Sequence, residues 1–166
     1  MKTMKKCCLL VALLFVFPSF CLAQEEAPSI KESVNYFTNF FNESVVQAIE
    51  IQQYLQKEKP GRDESFFCLE LISNLEKSID LAFNLRDLYF IYGRTMYCYA
   101  KEERKFVIDR IGNILVSLNS VLQTRYFGLD PAAQDPKSFA AQNAAKFEDR
   151  LKKLMAFAEK SSVIFK

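Results

Sequence analysis

An all-α fold, an antiparallel up-down bundle of four helices, is what this sequence predicts, and three observations predict it. Apolar residues recur at intervals of three and four through four long segments, the period that gathers side chains on one face of an α-helix. Gly and Pro, only 4 and 5 in 166 residues, fall mostly between those segments. No stretch alternates apolar and polar residues for the length of a strand, and β-branched residues are scattered through the helical stripes.

An export leader precedes the bundle. Lys2, Lys5 and Lys6 are followed by an apolar run from Cys7 to Phe17, then Pro18 and Cys21-Leu22-Ala23. The run is shorter than the ~20 residues a membrane-crossing helix needs, and Gln24-Glu25-Glu26 follows at once. Residues 1–23 therefore read as a signal peptide and residues 24–166 as a single helical domain, which places the mature protein in a secreted or periplasmic setting. Bulky Phe20 before Cys21 argues against lipid attachment there. No later apolar run has spanning length, so no transmembrane segment is expected in the mature chain.

The first helix opens at Ser29, with Glu32 at capping-box spacing, and carries Ile30, Val34, Phe37, Phe41, Val45, Ala48 and Leu55 on one stripe. Lys57 and Lys59 complement its carbonyl end before Pro60-Gly61 stops it. Asp63 is the expected N-cap of the second helix, whose stripe is Cys68, Ile72, Leu75, Ile79, Ala82 and Tyr89, with Glu70, Asn74, Lys77, Asn84 and Asp87 on the watered side. The third segment, from about Lys101 to Phe127, repeats Val107, Ile111, Ile114, Leu118 and Val121. The fourth is expected to start at Asp135-Pro136 and to bury Ala140, Ala144, Phe147, Leu151, Leu154 and Ala158, with Glu148–Lys152 and Asp149–Lys153 as supporting pairs. Short connections between long helices make the antiparallel up-down order the simplest packing.

Composition removes most chemistries. The chain holds no His, so Ser-His-Asp and Cys-His triads and the Glu-x-x-His metal sets of helical bundles cannot be assembled. Four scattered glycines build no phosphate loop. The 22 basic residues less the three leader lysines leave 19 against 20 acids, which lacks the basic footprint of a nucleic-acid binder. A carboxylate pair for glycoside-type hydrolysis remains compatible with the composition, but Glu50, Glu70 and Asp87 sit on expected polar faces. No enzyme, cofactor or metal is expected.

Two cysteines remain in the mature chain, Cys68 and Cys98, in a compartment that favours oxidation. A straight second helix would hold them far beyond the ~7 Å of bridged Cα atoms, so an internal disulfide, two separate thiols and an intermolecular bridge all stay open. The stretch Leu88 to Tyr99 is crowded with aromatic residues around Gly93 and Arg94. Tyr92, Arg94, Tyr97 and Tyr99 form the candidate interaction surface, with the closing of the bundle core as the competing role. Arg86, on the apolar stripe, is expected to snorkel or to pair with an acid of a neighbouring helix. Asn42-Glu43-Ser44 matches a glycosylation acceptor. The leading expectation is an exported, non-enzymatic bundle acting by contact with an unidentified protein partner or a surface. The second is a helical carrier for an apolar small molecule or lipid, motivated by 13 Phe and seven Tyr in the mature chain.

Overall fold

Ser29 begins the first helix as its spacing predicts: its hydroxyl accepts the Glu32 amide at 3.3 Å while the Glu32 carboxylate accepts the Ser29 amide at 2.7 Å. The computed structural model describes residues 27–94, 100–124 and 135–166, and the expected leader lies outside them. Four helices result, α1 Ile30–Glu58, α2 Arg62–Gly93, α3 Lys101–Leu122 and α4 Phe139–Ser161, followed by a 3-10 turn, Ser162–Phe165. Among the described residues there is no strand. The most extensive contact is α1 along α2. Further contacts join α2 to α3, α3 to α4, and α4 back to α1 and α2, while the 3-10 turn lies on α3 and α4.

Three boundaries differ from expectation. Lys59 ends α1 in the left-handed conformation (φ 45°), and Gly61, not Asp63, occupies the cap of α2, which starts directly after it. Asp63 and Glu64 then sit in the first turn, where their charge still complements the amide end of the helix dipole. Ser138 rather than Asp135 caps α4, accepting the Ala141 amide at 3.2 Å. Asp135 instead accepts the Lys137 amide at 2.9 Å, a local turn that leads into the helix. The third helix ends at Leu122, and Phe127 lies outside the described residues.

The inner faces of α3 and α4 are as expected. Val107, Ile111, Ile114, Leu118 and Val121 are buried on α3, and Ala140, Ala144, Phe147, Leu151, Leu154 and Ala158 on α4. Both rows alternate steps of four and three, the 3.5-residue repeat that lets side chains interdigitate between facing helices. Glu148 and Lys152 lie 3.7 Å apart and Asp149 and Lys153 2.6 Å apart on the outer surface.

The face of α1 is rotated from the expected one. Its buried residues are Ser33, Phe37, Phe40, Ser44, Gln47, Ala48 and Ile51, so that Phe37 and Ala48 of the expected stripe are inside, whereas Ile30, Val34, Phe41, Val45 and Leu55 are half-buried. The cause is tertiary: α1 lies against both α2 and α4, so the inward face is the one the two neighbours share. Gln47 can enter because its Nε2 donates to the Asn143 carbonyl at 2.7 Å and to the Asn143 side chain at 3.0 Å. Asn74, expected on the watered side of α2, is instead fully buried, and neither of its amide atoms has a partner.

At one end of the core Tyr89 is fully buried between Phe37, 5.1 Å away by ring centroid, and Phe165, 5.0 Å away. Its hydroxyl meets the Ser161 hydroxyl at 2.7 Å, and Ser161 donates to the Ala158 carbonyl at 3.2 Å. Burial pushes the phenol up to about 12. The same end is tightened by Gly93, where a Cβ would fall 2.7 Å from the Ile30 side chain.

Candidate contact surface

The end of α2 and the start of α3 put large apolar groups into water. Phe90 is 47 %, Ile91 56 % and Phe106 56 % exposed, and half-buried Tyr92 joins the two helices with its ring 6.4 Å from that of Phe106. Arg94, the C-cap residue of α2, is exposed and holds its guanidinium carbon 4.4 Å from the Phe90 ring centroid. Such cation–ring contacts are worth about 0.5–1 kcal/mol when exposed, enough to hold the guanidinium over the ring without burying it. Of the four residues singled out in the sequence, Arg94 and Tyr92 thus share this end, while Tyr97 and Tyr99 lie outside the described residues.

A cleft of about 670 Å³ opens between the start of α3 and the C-terminal turn. Lys101, Arg104, Lys105 and Lys166 line it, with half-buried Ile108 and buried Phe165 also contributing to its wall. Residues 101–106 are all exposed, so the first turn and a half of α3 stands clear of the core. None of the four cations forms an ion pair among the described residues. Glu102 is the acid in the lining. Glu103 is engaged elsewhere, its carboxylate accepting the Ala100 amide at 3.0 Å.

Sequence reasoning missed Phe106 and these cations, although a signal was present. Lys101 stands in the first turn of α3, where the dipole disfavours positive charge, and Arg104 and Lys105 follow it on the same face.

The remaining polar features serve packing. Arg86 donates to Asp87 on its own helix at 2.7 Å and lies 3.6 Å over the Phe83 ring, so it pairs with an acid of its own helix rather than a neighbouring one. Arg150 donates to the Gln47 side chain and lies 3.8 Å from Glu43, in the α1–α4 seam. Burial lowers its pKa, against the opposing pull of Glu43 and Glu50. A cleft of about 500 Å³ at the α1–α4 junction is lined by Glu32, Asn35, Tyr36 and Phe157 among others, and one of about 350 Å³ by the mixed charges Glu43, Glu50, Lys146 and Arg150. Cys68 is fully buried, and burial, aided by Glu64, pushes its thiol up to about 11, the opposite of an activated nucleophile. Cys98 lies outside the described residues. In the Asn42-Glu43-Ser44 triplet, Ser44 is fully buried in α1.

Among the described residues no group of three or more His, Cys, Asp or Glu could hold a metal ion, and no helix is long and apolar enough to cross a membrane. No family model, curated protein or solved structure matches this chain.

Proposed function

We propose that this chain is an exported, secreted or periplasmic protein whose mature part, from Gln24, is a non-enzymatic, antiparallel up-down four-helix bundle acting by contact with another protein or a surface. The antiparallel order is supported by which residues meet. On α1 and α2, Ile30 faces Gly93 and Phe37 faces Tyr89; on α1 and α4, Tyr36 stacks on Phe157 and Tyr54 on Phe139. In each pair of helices, low positions of one meet high positions of the other. The connection from α1 to α2, residues 59–61, is short enough to require such a reversal.

One observation carries the contact role: at the end of α2 and the start of α3, Phe90, Ile91 and Phe106 are all exposed, Phe90 under the Arg94 guanidinium and Phe106 against Tyr92. Apolar side chains exposed singly are ordinary, whereas a cluster beside a guanidinium has the composition of a contact surface. The carrier reading takes second place, because Tyr89, Phe37, Phe67 and Phe147, part of the aromatic complement that motivated it, are fully buried side chains of the core.

A photo-crosslinking side chain at position 106, compared in the native source with the same group at position 116, tests this. Val116 is 71 % exposed on the same helix and serves as the control. The contact reading expects adducts from 106 and few from 116. Equal yields, or none from 106, would remove it. N-terminal sequencing of the exported material tests the leader, with Gln24 expected first and Met1 the contrary result.

A further inference from the structure

We propose that the face formed by α1 and α4 binds a second copy of this chain, the two copies related by a two-fold axis that runs along the α1–α4 seam. Three clefts, of about 500, 260 and 350 Å³, follow one another there. The first two share Tyr36 and Asn39, and the last two share Glu43 and Arg150, so they form one groove. From Glu32 to Glu50 it runs about 27 Å at the helical rise, and two helices abreast make the face about 20 Å wide. With its ridges counted, such a face approaches the ~800 Å² per partner of a standard interface. None of the exposed rings at the end of α2 and the start of α3 lines it.

Charge selects the occupant. The α1 edge of the groove carries Glu43 and Glu50, with the cap residue Glu32 at its amino-terminal end, and the α4 edge carries Lys146, Arg150 and Lys153. Acid and base stand level: Glu43 lies 3.8 Å from Arg150, beyond hydrogen-bond length, and Glu50 shares a cleft with Lys146. Between the rows the lining is uncharged, with Tyr36 stacked on Phe157, Asn39, and exposed Val46. Within one chain these groups hold the seam, yet Glu43, Glu50, Lys146 and Lys153 remain exposed. Lys153 bonds Asp149 of its own helix, while neither Glu50 nor Lys146 forms an ion pair among the described residues.

A face that carries both signs in level rows on two helices is complementary to itself. A two-fold axis along the seam sets each α1 against the α4 of the other copy and keeps every residue at its own height, so Glu43 and Glu50 meet the second copy's basic row. An axis across the seam would set α1 on α1, with acids against acids. A partner of one sign throughout would be repelled by one of the two rows.

Sedimentation equilibrium of the mature protein, from micromolar to submillimolar concentration, tests the proposal. A dimer is expected, and it should weaken with added salt because its charged pairs lie near water. Glu43→Lys with Glu50→Lys, and separately Lys146→Glu with Lys153→Glu, should each raise the dimer dissociation constant at least about tenfold, since every reversal acts twice in a two-fold pair. Mixing the two reversed proteins sets opposite rows against each other again, and a heterodimer should form. Lys77→Glu, exposed on α2 and lining none of the three clefts, should associate as the parent does. Circular dichroism checks that each variant keeps its helices. In a mixture of unlabelled and heavy-isotope protein, a carbodiimide should join Glu50 of one copy to Lys146 of the other. A monomer throughout, a dimer indifferent to both reversals, or a mixture that fails to associate would overturn the proposal. So would a dimer that Phe106→Ser dissolves, because association would then lie at the α2–α3 end.

Discussion

Asn74 is the residue at which this bundle departs furthest from its own pattern. A fully buried primary amide with neither atom partnered costs about 1–3 kcal/mol. Asn74→Leu, which keeps the branched shape and removes both polar groups, should therefore raise the unfolding free energy by about 1–2 kcal/mol. Urea unfolding of the two proteins checks this, and a loss of stability would mean that the amide is satisfied. Cys68 makes a second prediction at the same scale. Its folded-state pKa is raised from 9 to about 11, so between those values the native thiol keeps a proton that the unfolded one has lost. The stability due to the neutral thiol is complete below pH 9 and is lost as pH climbs toward 11. Unfolding free energy measured across that window should fall more steeply in the parent than in Cys68→Ala. Parallel slopes would count against burial of the thiol.

Among the elements, α3 and α4 are the two whose apolar inner rows were fully legible, and α4 carries the sharpest test of the core. Leu151 is completely buried, and Leu151→Asp places an unpaired charge in a packed seam, with an expected loss of about 3 kcal/mol or more. Thermal unfolding that matches the parent would make α4 peripheral. Ser138 caps the same helix, and Ser138→Ala should cost about 1 kcal/mol, whereas Asp135→Ala should cost less because Asp135 accepts only from the turn before it. The two glycines inside helices behave oppositely. Gly112 on α3 has nothing within 4 Å of an added Cβ, so Gly112→Ala should gain about 0.5–1 kcal/mol from helix propensity. At Gly93 the Cβ would press on the branched carbons of Ile30, and Gly93→Ala should lose about 1 kcal/mol or more. Melting temperatures that move the same way in both variants would contradict that close approach.

For the molecule as a whole, what the sequence determined by itself is what depends on one helix at a time. Length and period of the apolar rows, the Ser29–Glu32 cap, the stop at Lys59-Pro60-Gly61 and the paired charges of α4 all involve residues within about one helical turn of each other, so the local chain carries their cause. The inner rows of α3 and α4 were readable for the same reason: their apolar residues form a single narrow stripe, which leaves one way to turn the helix. The expected stripe of α2 is also inside, with Cys68, Ile72, Leu75, Ala82 and Tyr89 buried and Ile79 half-buried. The tertiary structure alone decided how α1 is turned, because α1 presents apolar groups around much of its circumference. Which groups go inward there depends on how many neighbours the helix has. Gln47 is buried because Asn143, 96 positions away, satisfies it, and Asn74 is buried among neighbours that the α2 sequence cannot name. The candidate surface divides along the same line. Tyr92 and Arg94 stood out as an aromatic and basic run, but Phe106 joins them only because α3 folds back beside α2, and the cleft forms only because the C-terminal turn closes against α3. A periodic row is a property of one helix, whereas a cleft needs two elements brought together by packing, and that adjacency is written nowhere in the local spacing of the chain.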